Sequence, residues 1–157
     1  MSTATIASTM PTTPAPARTL AEIARSLADR PEEWVHRVRL SADGRWYERL
    51  HSDDEHEIWL ISWLPGQATG FHDHGDSRGA FAVALGSLDE HQLGRAREVR
   101  TGESWEFGRD YVHDVRNTSA APAVSVHVYS PPLSTMNRYE LTDDGLVTLV
   151  AEHAEDW

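Results

Sequence analysis

With 157 residues and a formal charge of −11 at pH 7, the chain fits one domain that is large enough to bury a core. The excess of acidic residues predicts no nucleic-acid partner, because a phosphate backbone would be repelled. No apolar run approaches the roughly 20 residues that cross a bilayer, and the first residues do not resemble a secretory signal, so we expect a cytoplasmic protein without a membrane partner.

The chain begins with a segment, residues 1–18, that is rich in Ser, Thr, Ala and Pro. Such a segment buries too little apolar surface to offset the entropy that is lost on ordering. We therefore predict a disordered tail over 1–18 and a single domain over 19–157.

Two short helices are expected at the start of this domain. Thr19 can cap a first helix, in which apolar residues recur at helical spacing. These residues are Leu20, Ile23, Ala24 and Leu27. Pro31 either ends this helix or opens a second short one that carries Trp34 and Val35.

Strands are predicted from Arg45 onward, because short β-branched or aromatic segments alternate there with Gly, Asp and Pro. The segments are RWYERLH (45–51), EIWLISWL (57–64), GAFAVAL (79–85), SLDEHQL (87–93), REVRTG (97–102), AVSVHVYS (123–130) and GLVTLV (145–150). Many short strands at close spacing are typical of a sandwich or a small barrel. We therefore predict a mainly β fold, a small β-barrel with one or two N-terminal helices packed on it.

The segment GFHDHG (70–75) contains the first candidate site. If it forms a strand, His72 and His74 point to the same side, because residues two apart share a face. Two imidazoles placed in this way can bind one metal ion, and a chain without cysteine has only nitrogen and oxygen ligands to offer. The alternative is a pair of surface histidines with local hydrogen bonds.

Two sets of spaced residues around these histidines resemble the two cupin motifs. The first motif, G-x5-H-x-H-x4-E-x6-G, is matched by Gly66, His72, His74, Gly79 and Gly86, with Gly79 in place of the glutamate. The second, G-x5-P-x-G-x2-H-x3-N, is matched by Gly102, Gly108, Asp110, His113 and Asn117, with Gly108 and Asp110 in place of its Pro and Gly. This resemblance implies a jelly-roll-like cupin barrel with a metal site at His72, His74 and His113 that lacks the usual carboxylate.

Three neutral imidazoles leave the charge of the ion uncompensated and three coordination positions open. Such a site suits a substrate that brings its own anionic ligand and leaves room for oxygen. Imidazole ligands alone are compatible with zinc, copper, nickel and iron, so the ligand type does not select the metal.

A second candidate site lies in the segment PAVSVHVYSPPLSTM (122–136). In a strand, Ser125, His127 and Tyr129 share one face, and three valines occupy the other. One interpretation puts the valines in the core and the polar residues in water. In a barrel, however, the interior can be the functional face, and the polar residues can then form a hydrogen-bonded relay that ends in a phenol beside the metal.

Three strings resemble the cysteine dioxygenases, also called thiol dioxygenases, and the resemblance covers about residues 45–137. They are ISWLPGQATGFHDHGDS (61–77), HDVRN (113–117) and PAVSVHVYSPP (122–132). The resemblance implies one ferrous ion, Fe(2+), per chain, bound by His72, His74 and His113. It also implies a catalytic relay of Ser125, His127 and Tyr129, and a cis peptide bond at Ser130–Pro131.

Animal members of this family crosslink a cysteine to the active-site tyrosine. That cysteine position is Gly79 here, and the chain contains no cysteine. The resemblance therefore points to the bacterial type of the family, in which Tyr129 acts as a free phenol.

Substrate recognition is expected at the segment RWYERLH, which places Tyr47 and Arg49 on one strand face together with Arg45 and His51. The family uses an arginine at the position of Arg49 to bind the substrate carboxylate, a contact that a planar guanidinium makes at two points. Members that prefer 3-mercaptopropionate carry glutamine there, so Arg49 favours L-cysteine. The alternative is an ordinary solvated arginine.

Together these features predict an iron-dependent enzyme that oxidises L-cysteine with dioxygen to cysteine sulfinate. Its expected partners are a small thiol and O2, and the expected assembly is a monomer or a weak homo-oligomer. Three alternatives stay open. They are a dioxygenase of 3-mercaptopropionate or another small thiol acid, a non-catalytic metal-binding cupin or sensor, and a zinc or manganese cupin isomerase, which Gly79 disfavours.

Overall fold

The computed structural model describes residues 17–153. The predicted disordered tail, 1–18, lies outside these residues except for Ala17 and Arg18. Two helices and eleven strands are found within the described range. The helices are α1 (Leu20–Ala28) and α2 (Pro31–Trp34). The strands are β1 (Trp46–Ser52), β2 (Glu57–Trp63), β3 (Phe71–His72), β4 (Arg78–Leu85), β5 (Ser87–Gln92), β6 (Arg95–Arg100), β7 (Ser104–Phe107), β8 (Asp114–Arg116), β9 (Ala123–Ser130), β10 (Thr135–Thr142) and β11 (Gly145–His153).

The first helix begins where the sequence predicts. Thr19 Oγ1 accepts a hydrogen bond from the Glu22 amide at 3.1 Å, and the Glu22 carboxylate accepts one from the Thr19 amide at 2.9 Å, which together form a capping box. Pro31 is the first residue of α2, so it opens a second helix. Neither helix in residues 17–153 has the length and apolar character that crossing a membrane requires.

The strands form two antiparallel layers with the main core between them. One layer is a five-stranded sheet in the order β1-β2-β9-β4-β7. The other consists of two three-stranded sheets, β11-β10-β3 and β6-β5-β8, which meet through isolated bridges at His72–His113 and Ala68–Arg116. The predicted mainly β fold with N-terminal helices is confirmed, although hydrogen bonds do not close the described sheets into one continuous barrel.

Strand β9 shows how alternating side chains position the site. Its three valines pack against the helices, in one apolar cluster with Leu20 and Trp34. The opposite face carries Ser125, His127 and Tyr129 into the interior between the layers, where each is at most 6% exposed. The polar residues of β9 therefore face the interior, because the helices cover the other side of the sheet.

Three strands, β7, β8 and β10, are absent from the predicted set, and β3 is shorter than expected. The strand expected over GFHDHG ends at His72, because the chain turns at Gly75, which has a φ of +58°. Strand β10 has polar residues on both faces, so no apolar alternation marks it in the sequence. It pairs with β3 and β11 and places Arg138 opposite His72.

Candidate metal centre and active site

The three predicted metal ligands converge between the layers. The ring centroids of His72, His74 and His113 lie 4.7–5.0 Å from one another, and each residue is 2–4% exposed. His72 ends β3, His74 follows two residues later, and His113 directly precedes β8. The backbones of His72 and His113 exchange two hydrogen bonds, of 2.9 and 3.1 Å, so pairing between distant segments brings the ligands together.

Hydrogen bonds fix which ring nitrogen is free for a metal in two of these histidines. His72 Nδ1 lies 2.8 Å from the Gly70 carbonyl oxygen, and His113 Nδ1 lies 3.1 Å from the Glu90 carboxylate. Both partners are acceptors, so each Nδ1 carries the hydrogen and each Nε2 keeps its lone pair. Burial lowers the pKa of His72 and of His74 well below the ordinary value, which keeps both rings neutral at pH 7.

The donor set fits a divalent metal ion. His72 Nε2 and His74 Nε2 are 3.1 Å apart, and one ring nitrogen from each of the three histidines lies within 4.8 Å of the others, so one ion could contact all three. The group of three contains no carboxylate, and neutral imidazoles are ligands for iron, zinc, copper and nickel alike.

The predicted relay residues form a continuous chain of contacts along β9. Ser125 Oγ lies 2.8 Å from His127 Nε2, and the Tyr129 hydroxyl lies 3.3 Å from His127 Nδ1. Trp63 Nε1 donates to Ser125 Oγ at 2.9 Å, so the chain of contacts extends from Trp63 through Ser125 and His127 to the Tyr129 hydroxyl.

Burial sets the protonation of the relay. It lowers the pKa of His127 to about 3 and raises the pKa of Tyr129 above its ordinary value. At neutral pH the imidazole is therefore neutral and the phenol is protonated. The Tyr129 ring stacks on His74 with centroids 5.1 Å apart, so the relay ends beside the metal ligands.

A cavity of about 390 Å³ opens beside His72, His113 and Tyr129. Two guanidinium groups, those of Arg45 and Arg138, line it. Its apolar wall comes from Trp59, Ile61, Val115, Leu133 and Met136. The cavity therefore combines cationic and apolar surface with two of the metal ligands and the phenol.

The two cavity arginines differ in their partners. Arg138 Nε lies 2.7 Å from a Glu152 carboxylate oxygen, and Arg138 Nη1 donates to the Thr69 carbonyl at 2.9 Å. Arg45 forms no salt bridge within residues 17–153, and its guanidinium lies 5.2 Å from the centre of the Trp63 ring. Burial and the nearby Arg138 lower the pKa of Arg45. An anionic ligand in the cavity would stabilise this guanidinium.

The model of the cysteine dioxygenase type I family matches residues 4–142. The chain belongs to this family. A cysteine dioxygenase type 1 from Bos taurus is 26% identical over 127 residues, which cover 70% of this chain and 62% of the relative. The protein of the same name from Danio rerio is 26% identical over 133 residues, 73% of this chain and 65% of the relative. The chain thus spans less than two thirds of the length of these relatives.

Solved structures confirm the cupin fold that the sequence predicts for this cysteine dioxygenase family member. An uncharacterized conserved protein with a double-stranded β-helix domain from Klebsiella pneumoniae has a TM-score of 0.58 at 21% identity, covering 62% of this chain and 80% of its own. An RmlC-like cupin protein from Desulfovibrio desulfuricans has a TM-score of 0.56 at 18% identity, covering 61% of this chain and 91% of its own.

Gly79, at the glutamate position of the first cupin motif, leaves no space for a side chain. A Cβ atom there would lie 2.7 Å from the Phe107 ring and 2.9 Å from Tyr129 Cδ1. Phe107 and Tyr129 both stack on His74, with centroids 4.8 and 5.1 Å away. Aromatic packing around His74 therefore takes the place of the glutamate. Since the chain has no cysteine, the thioether of animal cysteine dioxygenases cannot form, and the Ser130–Pro131 bond is cis as expected.

The two residues predicted to bind substrate lie in different surroundings. Tyr47 lines the cavity, 5.9 Å from Trp59 between ring centroids. Arg49 lies on the same face of β1 but outside the cavity lining. Its guanidinium lies 5.8 Å from the centre of the Trp59 ring and 3.8 Å from Glu57. Its side chain is 56% exposed. Arg45, which the sequence also places on this face, directly precedes β1. It lines the cavity together with Tyr47.

Asp73 lies between His72 and His74, and its hydrogen bonds join this segment to β10. Its carboxylate accepts hydrogen bonds from the Gly75 amide at 3.1 Å, the Asn137 amide at 3.0 Å and the Tyr139 hydroxyl at 2.7 Å. Although burial raises the pKa of Asp73, these bonds lower it below the ordinary value. Asp73 therefore faces away from the metal ligands and holds their loop.

A second group of candidate metal ligands, His51, Asp53 and His56, lies at the turn between β1 and β2. The Asp53 carboxylate accepts hydrogen bonds from the Glu55 and His56 amides at 2.8 and 2.9 Å. His51 Nε2 lies 2.8 Å from the other carboxylate oxygen. These contacts account for the group as a hydrogen-bonded turn, and we assign it no role.

Proposed function

We propose that the protein is a thiol dioxygenase that converts L-cysteine and O2 to cysteine sulfinate. The observation that carries the proposal is the meeting of three features at one cavity: buried imidazoles, the protonated Tyr129 phenol and the guanidinium of Arg45, which has no salt bridge within residues 17–153. Membership of the cysteine dioxygenase type I family supports this reaction. Both atoms of O2 become bonded to the substrate sulfur. The thiolate and dioxygen therefore supply all the atoms and electrons of the sulfinate, and no further reductant is needed.

His72, His74 and His113 would hold one ferrous ion per chain. Iron bound there would supply coordination positions for a thiolate and dioxygen and the electrons that activate the oxygen. Because three neutral imidazoles do not compensate the charge of a divalent cation, the site favours an anionic ligand, which the substrate thiolate provides. The ligands are almost fully buried, so bulk water is kept from the side of the ion that they cover.

We assign the substrate carboxylate to Arg45 and Arg138. Both line the cavity, where Glu152 is the acidic side chain and pairs with Arg138. The lining therefore has one guanidinium more than it has carboxylates, and a substrate carboxylate restores the balance. Charge-assisted hydrogen bonds from guanidinium groups are among the stronger contacts that a carboxylate makes. Arg49, the residue predicted for this role, lies outside the cavity lining and serves as the control position for substitutions of Arg45 and Arg138.

Tyr129 is the proposed hydrogen-bond donor to the reacting atoms. Because the pKa of His127 is about 3, the relay takes up no proton at neutral pH, and its task is to orient the phenol. In this proposal His127 carries its hydrogen on Nδ1 and donates to the Tyr129 oxygen 3.3 Å away, so that the hydroxyl hydrogen can donate into the cavity. A fixed donor at this place stabilises negative charge that develops on oxygen as it is transferred to sulfur.

A second candidate substrate is 3-mercaptopropionate or another small thiol acid. Arg49 is the residue that favoured L-cysteine in the sequence, and it lies outside the cavity lining. Within that lining, the carboxylate of Glu152 is paired with Arg138, so it is not free to bind a substrate ammonium group. Recognition of the carboxylate alone would serve either substrate.

Oxygen uptake by the iron-loaded protein with a panel of thiols tests the proposal. The panel consists of L-cysteine, 3-mercaptopropionate and cysteamine, with the sulfinate product quantified against the oxygen consumed. We expect L-cysteine to give sulfinate in step with oxygen, and cysteamine, which has no carboxylate, to react poorly. A faster reaction of 3-mercaptopropionate would select the second candidate. Thiol binding without oxygen uptake would identify a non-catalytic metal-binding cupin and overturn the proposal.

A further inference from the structure

Glu90 is a buried carboxylate beside the metal ligands that the proposed reaction does not use. It is 1% exposed and lies on β5, on the same inward face as the buried Leu88. Its Oε2 atom accepts a hydrogen bond from His113 Nδ1 at 3.1 Å. Glu90 therefore contacts a metal ligand on the side away from the nitrogen that would bind the metal.

Further side chains hold the Glu90 carboxylate in place. The Tyr111 hydroxyl donates to Oε1 at 2.7 Å, and Arg97 Nε lies 3.4 Å from the same oxygen. Trp105 contacts both Tyr111 and Arg97. The Trp105 Nε1 donates to the Tyr111 oxygen at 3.0 Å, and the Arg97 guanidinium lies 3.4 Å from the centroid of the Trp105 ring. A connected set of contacts thus runs from Arg97, whose side chain is 26% exposed, to His113.

These contacts indicate that Glu90 carries a negative charge. Burying a carboxylate is costly unless it is paired and hydrogen-bonded, and Glu90 has both a guanidinium and two hydrogen-bond donors around it. Burial and the bond to Glu90 raise the pKa of Tyr111 to about 12, so its hydroxyl stays protonated as a donor. Tyr111 and His113 therefore direct hydrogens at the carboxylate, and the Arg97 guanidinium pairs with it, an arrangement that suits an anion.

The metal centre itself has no carboxylate ligand, because Gly79 stands at the glutamate position of the motif and aromatic rings fill the space. We propose that Glu90 is the positioning residue that supplies the missing negative charge from behind His113 and fixes its ring with Nε2 toward the metal. A carboxylate on the outer N–H of a ligating imidazole orients the ring and makes it a stronger ligand. The inference rests on the proposed metal centre and is independent of which thiol is oxidised.

Metal binding in the absence of substrate tests this role. Co2+ is titrated into the metal-free protein, and its affinity and absorption bands are compared between the wild type and Glu90→Gln. Glutamine keeps an oxygen that can accept from His113 but removes the charge, so we expect about ten- to hundredfold weaker binding and shifted cobalt bands. Glu90→Asp retains the charge and should recover part of the affinity.

Glu57→Gln is the matched control for the loss of a buried acid. Glu57 is 3% exposed and accepts a hydrogen bond from the Leu133 amide at 2.9 Å, and none of its described contacts is with a metal ligand. It should bind Co2+ as the wild type does. Equal weakening in both variants, or wild-type affinity and bands in Glu90→Gln, would overturn the role of Glu90.

Tyr111→Phe keeps the inference testable if Glu90→Gln does not fold. It leaves Glu90 in place and removes one donor, so it should weaken Co2+ binding in the same direction but by less. Wild-type affinity in Tyr111→Phe, beside a Glu90→Gln variant that fails to fold, would count against the inference and indicate a structural ion pair. A wild-type protein that binds no Co2+ would instead contradict the metal centre and with it the proposed function.

Discussion

The two halves of the candidate site are built in different ways. The relay lies on a single strand, where alternate positions of β9 bring Ser125, His127 and Tyr129 into one line of contacts. The metal ligands come from segments far apart in the chain, and His72 meets His113 only through an isolated bridge between two sheets. One half therefore depends on local geometry and side-chain chemistry, whereas the other depends on how distant segments pair.

Loss of a metal ligand should have the largest effect. His113→Ala removes one of three imidazoles and the partner of Glu90, so we expect metal content to fall close to zero and activity to be lost. His72→Ala and His74→Ala should behave in the same way. Metal content measured by elemental analysis after loading and desalting checks this expectation.

Two other histidine variants separate the ligands from their neighbours. His127→Ala should retain the metal, because His127 contacts Ser125 and Tyr129 rather than the ion site. His51→Ala, in the exposed group at the β1–β2 turn, should retain it too. Full metal content in His113→Ala, or equal loss in His51→Ala, would contradict the three-histidine centre.

Tyr129→Phe isolates the chemistry of the relay half. The ring and its stacking on His74 remain, so the fold and the metal content should be unchanged. Removing a fixed donor to developing negative charge should lower turnover by on the order of 10²-fold, or let oxygen be consumed without matching sulfinate. The measurement is the ratio of sulfinate formed to oxygen consumed, and an unchanged rate and ratio would remove Tyr129 from the reaction.

Three arginine variants test which guanidinium binds the carboxylate. Arg45→Gln and Arg138→Gln should each lower kcat/KM for L-cysteine by about ten- to hundredfold, since a hydrogen bond to a charged group contributes roughly 1.5–3 kcal/mol. Arg49→Gln should have little effect, because Arg49 lies outside the cavity lining.

Cysteamine, which has no carboxylate, is the control substrate, and its poor reaction should barely respond to any of the three changes. A large loss in Arg49→Gln with normal activity in the other two variants would return the carboxylate to the position that the sequence predicts.

The smallest expected effect is a pH dependence of stability in the metal-free protein. Burial holds the pKa of His127 at about 3, below the ordinary 6.5. Below pH 6.5 the unfolded chain binds a proton that the folded chain does not, so the stabilisation is complete above pH 6.5 and is lost as the pH falls toward 3. The slope from this one group is about 1.4 kcal/mol per pH unit.

Urea unfolding at pH 7 and pH 5.5 measures this slope. His127→Asn should lose about 1.3 kcal/mol less than the wild type between these pH values, and the contributions of the other buried histidines cancel in the comparison. An equal loss in both proteins would show that His127 has the same pKa in the folded protein as in the unfolded chain.

The parts of the molecule that sequence analysis predicts well are those with a local cause. The start of α1 follows from the capping pair Thr19 and Glu22, and the interior face of β9 follows from alternation once helices cover its valines. The positions of His72, His74 and His113 were predicted from motif resemblance, because nothing local in the chain brings His113 to the other two.

The remaining site residues depend on register between strands that the sequence does not mark. Arg138 lies on β10, which has no apolar alternation, and reaches the cavity because it pairs with His72. Arg45 and Arg49 share a face in the sequence, and nothing in that pattern indicates that Arg45 lines the cavity and Arg49 does not. Glu90 left a usable signal, since it alternates with Leu88 toward the interior, where an unpaired acid would be costly.

The bridge between β3 and the residue before β8, His72 to His113, joins two segments that separate when the fold opens locally at this place. Along this junction the backbone of residues 66–72 is bonded to that of residues 113–117, through contacts such as Thr69 N to Val115 O at 2.9 Å and Asn117 N to Gln67 O at 2.9 Å. An ion held by His72 and His113 would connect the two sides, so the junction could not separate without releasing it. Amide hydrogen exchange at Thr69 and Asn117 should therefore slow as free metal rises, by about tenfold for each tenfold excess over the dissociation constant, while exchange in the β1–β2 hairpin stays constant.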